Sequence, residues 1–221
     1  MAIQELSPSE LQSRLEYAIT SYSPEAAAAA LNAGADPTKR IFKDQVAPLI
    51  FVCALLTEER KTPVLKEPEA EARRDNVIKK LEVIISVLEE HLMIYLGKAI
   101  AEHNIIRVAE VLEAGANPAG LINGQTTPLE YARHALDEME NTRAIVEHAA
   151  ETPRYARKRK NAIKDLKEII ILLEMRVDLA AGSDKLQVLR ACTDPARKLC
   201  NGDRSKPEKL QPKQKGLLSP G

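Results

Sequence analysis

The side chains able to do chemistry are few and badly spaced for it. The four histidines are His91, His103, His134 and His148. None belongs to an HExxH pair, and none stands beside a Ser or Cys in a nucleophile-elbow pattern. His134 and His148 are 14 residues apart on one helical stretch, about four turns and too far to share a metal. Cys53 sits in the apolar run Pro48–Leu56 and reads as a small core residue, whereas Cys192 and Cys200 are free thiols near the end of the chain. Three cysteines without a CxxC pair make neither a zinc site nor a disulfide framework, and they suit a reducing compartment. Carboxylates alternate with Lys and Arg as on solvated helix faces. No glycine-rich phosphate loop occurs. These patterns point away from an enzyme, from a cofactor and from a metal centre, and toward binding.

Two kinds of binding residue remain. The stretch Lys39-Arg40-Ile41-Phe42-Lys43 sets an Ile and one of the chain's two Phe among cations. Apolar groups with arginine beside them make interface hot spots. Leu121, Ile122, Asn123 and Gln125 form a second short apolar-polar stretch around an Asn-Gly turn signal. Each tip either faces a partner protein or folds back on its neighbour. The second kind is the basic run Arg154, Arg157, Lys158, Arg159 and Lys160, a candidate anion site. The acidic stretch Glu147–Glu151 beside it makes a self-neutralised surface the competing reading.

The elements that carry these residues repeat. Leu15–Pro37 and Leu96–Pro118 align without a gap at an offset of 81 residues: Leu15 with Leu96, Ala18 with Ala99, Leu31 with Leu112, and Ala33-Gly34-Ala35-Asp36-Pro37 with Ala114-Gly115-Ala116-Asn117-Pro118. Both read as a short helix pair stopped by glycine and followed by a loop. Apolar content comes from Ala, Leu and Ile, which favours helix over sheet. The chain of 221 residues has 32 basic and 32 acidic side chains, so no global charge draws it to nucleic acid or membrane. It has no secretory leader and no run of about 18 apolar residues, which predicts a cytoplasmic protein without a membrane segment.

The pattern resembles the ankyrin repeat, a unit of roughly 33 residues with a Thr-Pro-Leu-His-x-Ala opening, two antiparallel helices and a protruding finger. Thr127-Pro128-Leu129-Glu130-Tyr131-Ala132 matches the opening with Glu130 in the His place. Ala47-Pro48-Leu49-Ile50 is a weaker version. In the family that His joins a hydrogen-bond network with the Thr, so these units are expected to hold together more by packing. A tetratricopeptide-like array is the alternative, but its helix pairs lack the Gly-Ala-Asp-Pro ending.

The resemblance implies an all-α solenoid of four helix pairs, with units at 11–46, 47–91, 94–126 and 127–176 inside a domain spanning 1–181. It implies two complete fingers. Unit two carries its extra residues as an irregular loop, with helix resuming near Asp75, and unit four projects as a hairpin, Leu129–Ala150 against Arg154–Met175. Residues 182–200 are expected to cap the stack through Leu186 and Leu189, and 201–221 to be a disordered basic tail. The implied function is a monomeric adaptor that binds an unidentified protein through its fingers and concave helix face. The alternative is a nucleic-acid-associated protein using the basic hairpin tip and tail, although no aromatic platform accompanies them. A microbial effector delivered into a host cell is a third reading, which no residue here establishes.

Overall fold

The structure, a computed structural model, describes residues 6–42, 45–62, 68–146 and 153–182. The described residues form seven helices and no strand: α1 Pro8–Thr20, α2 Pro24–Asn32, α3 Pro48–Lys61, α4 Pro68–Ala101, α5 Ile105–Glu113, α6 Pro128–Val146 and α7 Pro153–Gly182. Local chemistry sets several of the starts. The Ser7 hydroxyl accepts from Glu10 N–H at 3.3 Å while Glu10 Oε2 accepts from Ser7 N–H at 2.8 Å, a reciprocal capping box. Ser23 Oγ accepts from Ala26 N–H, and Asn104 Oδ1 from Arg107 N–H. Proline stands at the first position of α1, α2, α3, α4, α6 and α7, where its missing N–H costs nothing.

Two stretches 81 residues apart fold alike. Tyr22 and His103 both turn the chain at positive φ, +53° and +54°. Ser23 N–H donates to Ala18 O, and Asn104 N–H donates to Ala99 O. Ala35 N–H closes on Ala30 O as Ala116 N–H closes on Val111 O. Gly34 and Gly115 each adopt φ +104°, where a side chain would be strained, and so end their helices. Beyond them, single antiparallel bridges pinch the loops shut, Ile41 with Val46 and Ile122 with Thr126.

Between the two stretches the structure departs from the four-unit expectation. α4 is one helix of 34 residues, ~51 Å long, so the expected division between 47–91 and 94–126 falls inside it. The cause is a single apolar stripe. Leu81, Ile84, Leu88, Leu92, Leu96 and Ile100 recur every three or four residues and are all fully buried, and no cap or proline interrupts them. The extra residues of unit two are therefore largely helical. α3 runs on to Lys61, and α4 begins at Pro68, ahead of the predicted start near Asp75.

α3 and α4 are antiparallel. Arg60 pairs with Glu82 at 2.6 Å, and further back along α3 the Cys53 thiol feels the charge of Glu89 further on along α4. In a regular stack, the opening helix of one unit parallels that of the unit before. Here the opening helix of the second finger-bearing stretch is the end of α4, which runs against α3.

α6 and α7 form the projecting hairpin. Arg133 pairs with Glu174 at 2.7 Å and Lys167 with Glu140 at 2.9 Å, stepping in opposite directions. Leu166, Ile169 and Leu173 bury the facing stripe of α7. α7 continues to Gly182, beyond the expected boundary at 176. α2 packs on α4, α4 on α6, and α5 on α7, so one core runs through the molecule. The expected cap at 182–200 lies outside the described residues but for Gly182, and the expected tail at 201–221 lies wholly outside them. No helix among the described residues is long and apolar enough to cross a membrane.

Candidate binding surface

Finger one is built around Asp36. Its Oδ1 accepts from Thr38 N–H at 2.9 Å and Thr38 Oγ1–H at 2.6 Å, which fixes the turn after Gly34. Ile41 N–H donates to Val46 O at 2.9 Å, and Gln12 Nε2 of α1 donates to Lys39 O at 3.0 Å. These bonds decide which way each residue of the tip points. Ile41 is 1% exposed and Val46 4%, so both belong to the core. Phe42 takes φ +52°, half buried, with its ring centroid 4.4 Å from that of Phe51 and its N–H on Glu16 Oε2. Ile41 thus cannot be a partner-contacting residue, and Phe42 is largely committed to the fold. Lys39 and Arg40 remain exposed. Lys43 lies outside the described residues.

Finger two follows the same plan. Asn117 Oδ1 accepts from Ala119 N–H at 3.0 Å, and Ile122 N–H donates to Thr126 O at 2.8 Å. Ile122 is 5% exposed and presses on Gly97 of α4, where a methyl group would lie 2.9 Å from its Cγ2. Ile122 is therefore also withdrawn from any partner. Leu121, at 52% exposure, and the exposed Asn123 and Gln125 form the outer surface. At the start of α6, Glu130 Oε2 accepts from Thr127 N–H at 2.9 Å and from Thr127 Oγ1–H at 2.8 Å. Glu130 in the His place still bonds the threonine, so packing alone does not hold this junction. At α3 the cap residue Ala47 makes no side-chain bond, and packing does.

A groove of about 580 Å³ lies between finger one and α5. Residues that sequence reasoning missed tie its two sides together. Arg107 of α5 reaches Asp36 Oδ2 at 2.6 Å and Glu110 Oε2 at 2.9 Å, with its guanidinium 5.6 Å from the centre of the Tyr95 ring. Burial raises the Asp36 pKa, but the bonds from Thr38 and Arg107 outweigh it and hold the carboxyl below its ordinary value. Burial likewise pulls on Arg107, and its bonds to Asp36 and Glu110 keep it above its usual range. Burial first, and then the Asp36 charge, push the Tyr95 phenol up. Asp36 and Arg107 are 71 residues apart, and Arg107 aligns with Ala26 in the other copy, so no repeat signal marks it.

The basic run begins α7. Arg154, Arg157, Lys158 and Lys160 are exposed, while Arg159 is half buried and engaged. Its expected acidic neighbours at 147–151 lie outside the described residues, as do His148, Cys192 and Cys200. The remaining histidines are dispersed: His91 on α4, His103 in the turn before α5, and His134 3.9 Å from Glu138. Among the described residues no group of three His, Cys, Asp or Glu is placed to hold a metal ion. No family model, curated protein or solved structure matches the chain.

Proposed function

We propose that this chain is a cytoplasmic adaptor built from ankyrin-like helix–turn–helix–finger modules, binding a partner protein at finger one and the groove beside it. The observation that carries the reading is the recurrence, 81 residues apart, of one module with matching turns, caps and pinched finger. The modules are 8–47 and, roughly, 89–127. The hairpins α3–α4 and α6–α7 act as spacers that replace regular units. A finger held by internal hydrogen bonds loses little conformational freedom on association, so contact energy is retained as affinity.

Lys39 and Arg40 are the binding residues of finger one, and Leu121, Asn123 and Gln125 those of finger two. Lys39→Glu with Arg40→Glu should leave helical circular dichroism and melting unchanged and weaken the co-purifying partner's affinity at least ~tenfold. Unchanged affinity sinks the site. Ile41 and Phe42 are unsuited to this test, because truncating them loosens the finger itself.

A second reading has one observation behind it, the exposed cations at the start of α7. By the pairing of Arg133 with Glu174, this first part of α7 extends past Val146, the described end of α6. A nucleic-acid interface there requires oligonucleotide retention that falls steeply with salt. No retention at low salt removes it.

A further inference from the structure

The two walls of the groove carry opposite charge. The finger wall presents Lys39 and Arg40, exposed and without a side-chain partner among the described residues. The α5 wall presents two exposed carboxylates, Glu113 and Glu110, the latter sharing the Arg107 cation with Asp36. The half-buried Ile50 lies between them as an apolar floor, over the buried Val46, Ala47 and Ala114. The Asp36–Arg107 pair spans the walls, cancels its own charge and fixes their separation.

We infer that this groove receives an amphipathic helix of the partner protein, its apolar ridge flanked by carboxylates on one side and by Lys or Arg on the other. The inference rests on the protein-binding reading above and gives the partner's chemistry. A helix can set its apolar ridge over Ile50 and send separate polar faces to both walls. An extended peptide has only two opposite side-chain directions, so it can address the floor or the two walls but not all three. The acidic wall opposes a phosphate backbone, and it also opposes a uniformly acidic peptide. The chain's own C-terminal residues 183–221 carry nine basic and four acidic side chains, a net +5, and so are repelled by the finger wall.

The test uses the full chain and three fluorescein-labelled helical peptides with one leucine ridge. One has a Glu flank and a Lys flank, one is all Glu, and one is all Lys. Wild type should bind the mixed peptide about tenfold tighter than either other. Lys39→Glu with Arg40→Glu should shift the preference to the all-Lys peptide, and Glu113→Lys should shift it to the all-Glu peptide. Lys79→Glu with Lys80→Glu, an equal charge change on the exposed side of α4, should shift nothing. Equal binding of all three peptides, or a preference that the groove variants leave unmoved, overturns the inference. A native partner lost on Lys39→Glu/Arg40→Glu but indifferent to Glu113→Lys overturns the two-walled groove and leaves the adaptor standing. A chain that binds no protein at all removes both.

Discussion

Asp36→Asn takes one charge from the finger and little else. Asn117 stands at the matching place in finger two and accepts the equivalent turn bond, from Ala119 N–H at 3.0 Å against 2.9 Å for Thr38 N–H on Asp36. The turn therefore survives the change. What is lost is the ion pair to Arg107, whose partners are 30% and 31% exposed. Exposed pairs are worth roughly 0.2–1 kcal/mol, and breaking a fully buried one costs roughly 3–5 kcal/mol. Arg107 keeps Glu110 and Tyr95, so no cation is stranded, and the loss should be about 1 kcal/mol. That corresponds to a Tm lower by about 2–4 °C for a chain of this size.

The pH dependence has a definite sign. Bonds from Thr38 and Arg107 depress the Asp36 pKa in the folded state despite the opposing effect of burial. A depressed carboxyl contributes stability above its unfolded pKa and loses it as pH falls through the folded one. The gap between wild type and Asp36→Asn should be full at neutral pH and close in acid. A denaturant cycle with Arg107→Met, followed by circular dichroism at low salt, should give a coupling of about 1 kcal/mol. A gap that stays constant with pH, or a coupling of zero, refutes the claim that this pair ties finger one to α5.

Three further outcomes are expected. Ile41→Ala should cost roughly 2–4 kcal/mol in denaturant unfolding, while Arg40→Ala stays within about 0.5 kcal/mol, because only the first empties a core site. Gly97→Ala gains ~1 kcal/mol of helix propensity but forces a buried contact that costs roughly 1–3 kcal/mol, so the melting temperature should fall. A rise would show that Ile122 does not press on α4. Burial and then Glu89 push the Cys53 thiol up to about 11. Iodoacetamide at pH 8 should therefore leave Cys53 unlabelled in the native protein and label it in urea, read by peptide mass spectrometry; equal rates in both would refute this.

The sequence carries the finger-bearing modules plainly, since glycine stops, caps and pinched loops depend on local residues that recur in both copies. The continuity of α4 was also visible, as the stripe from Leu81 to Ile100 has no break. Aligning Leu96 with Leu15 draws attention to where a helix begins in the first copy, and so suggests a start that the stripe does not supply. The burial of Ile41 and Ile122 was not legible. Each lies in a short bridged loop whose facing depends on one backbone hydrogen bond, and the cations flanking Ile41-Phe42 imitate an exposed tip. The groove was hidden for another reason. Its key contact joins Asp36, which the repeat marks, to Arg107, which replaces an alanine of the other copy.

α4 determines what kind of assembly this is. In a solenoid of independent units, each finger's position follows from the unit beneath it, and the spacing between fingers accumulates unit by unit. Here the second module borrows its opening helix from the end of a helix whose earlier turns pair with α3. Finger two rests on that helix through Ile122 and Gly97. Finger one leads directly into α3, which is locked against α4 by Arg60–Glu82 and by Arg74 donating to the carbonyls of Glu59 and Arg60. The wall formed by α5 folds back on α4 after a three-residue turn. Both walls of the groove are thus attached to one rod of ~51 Å. Their separation is set by the packing of α3 and α5 on α4, and the Asp36–Arg107 pair holds the remaining freedom across the opening.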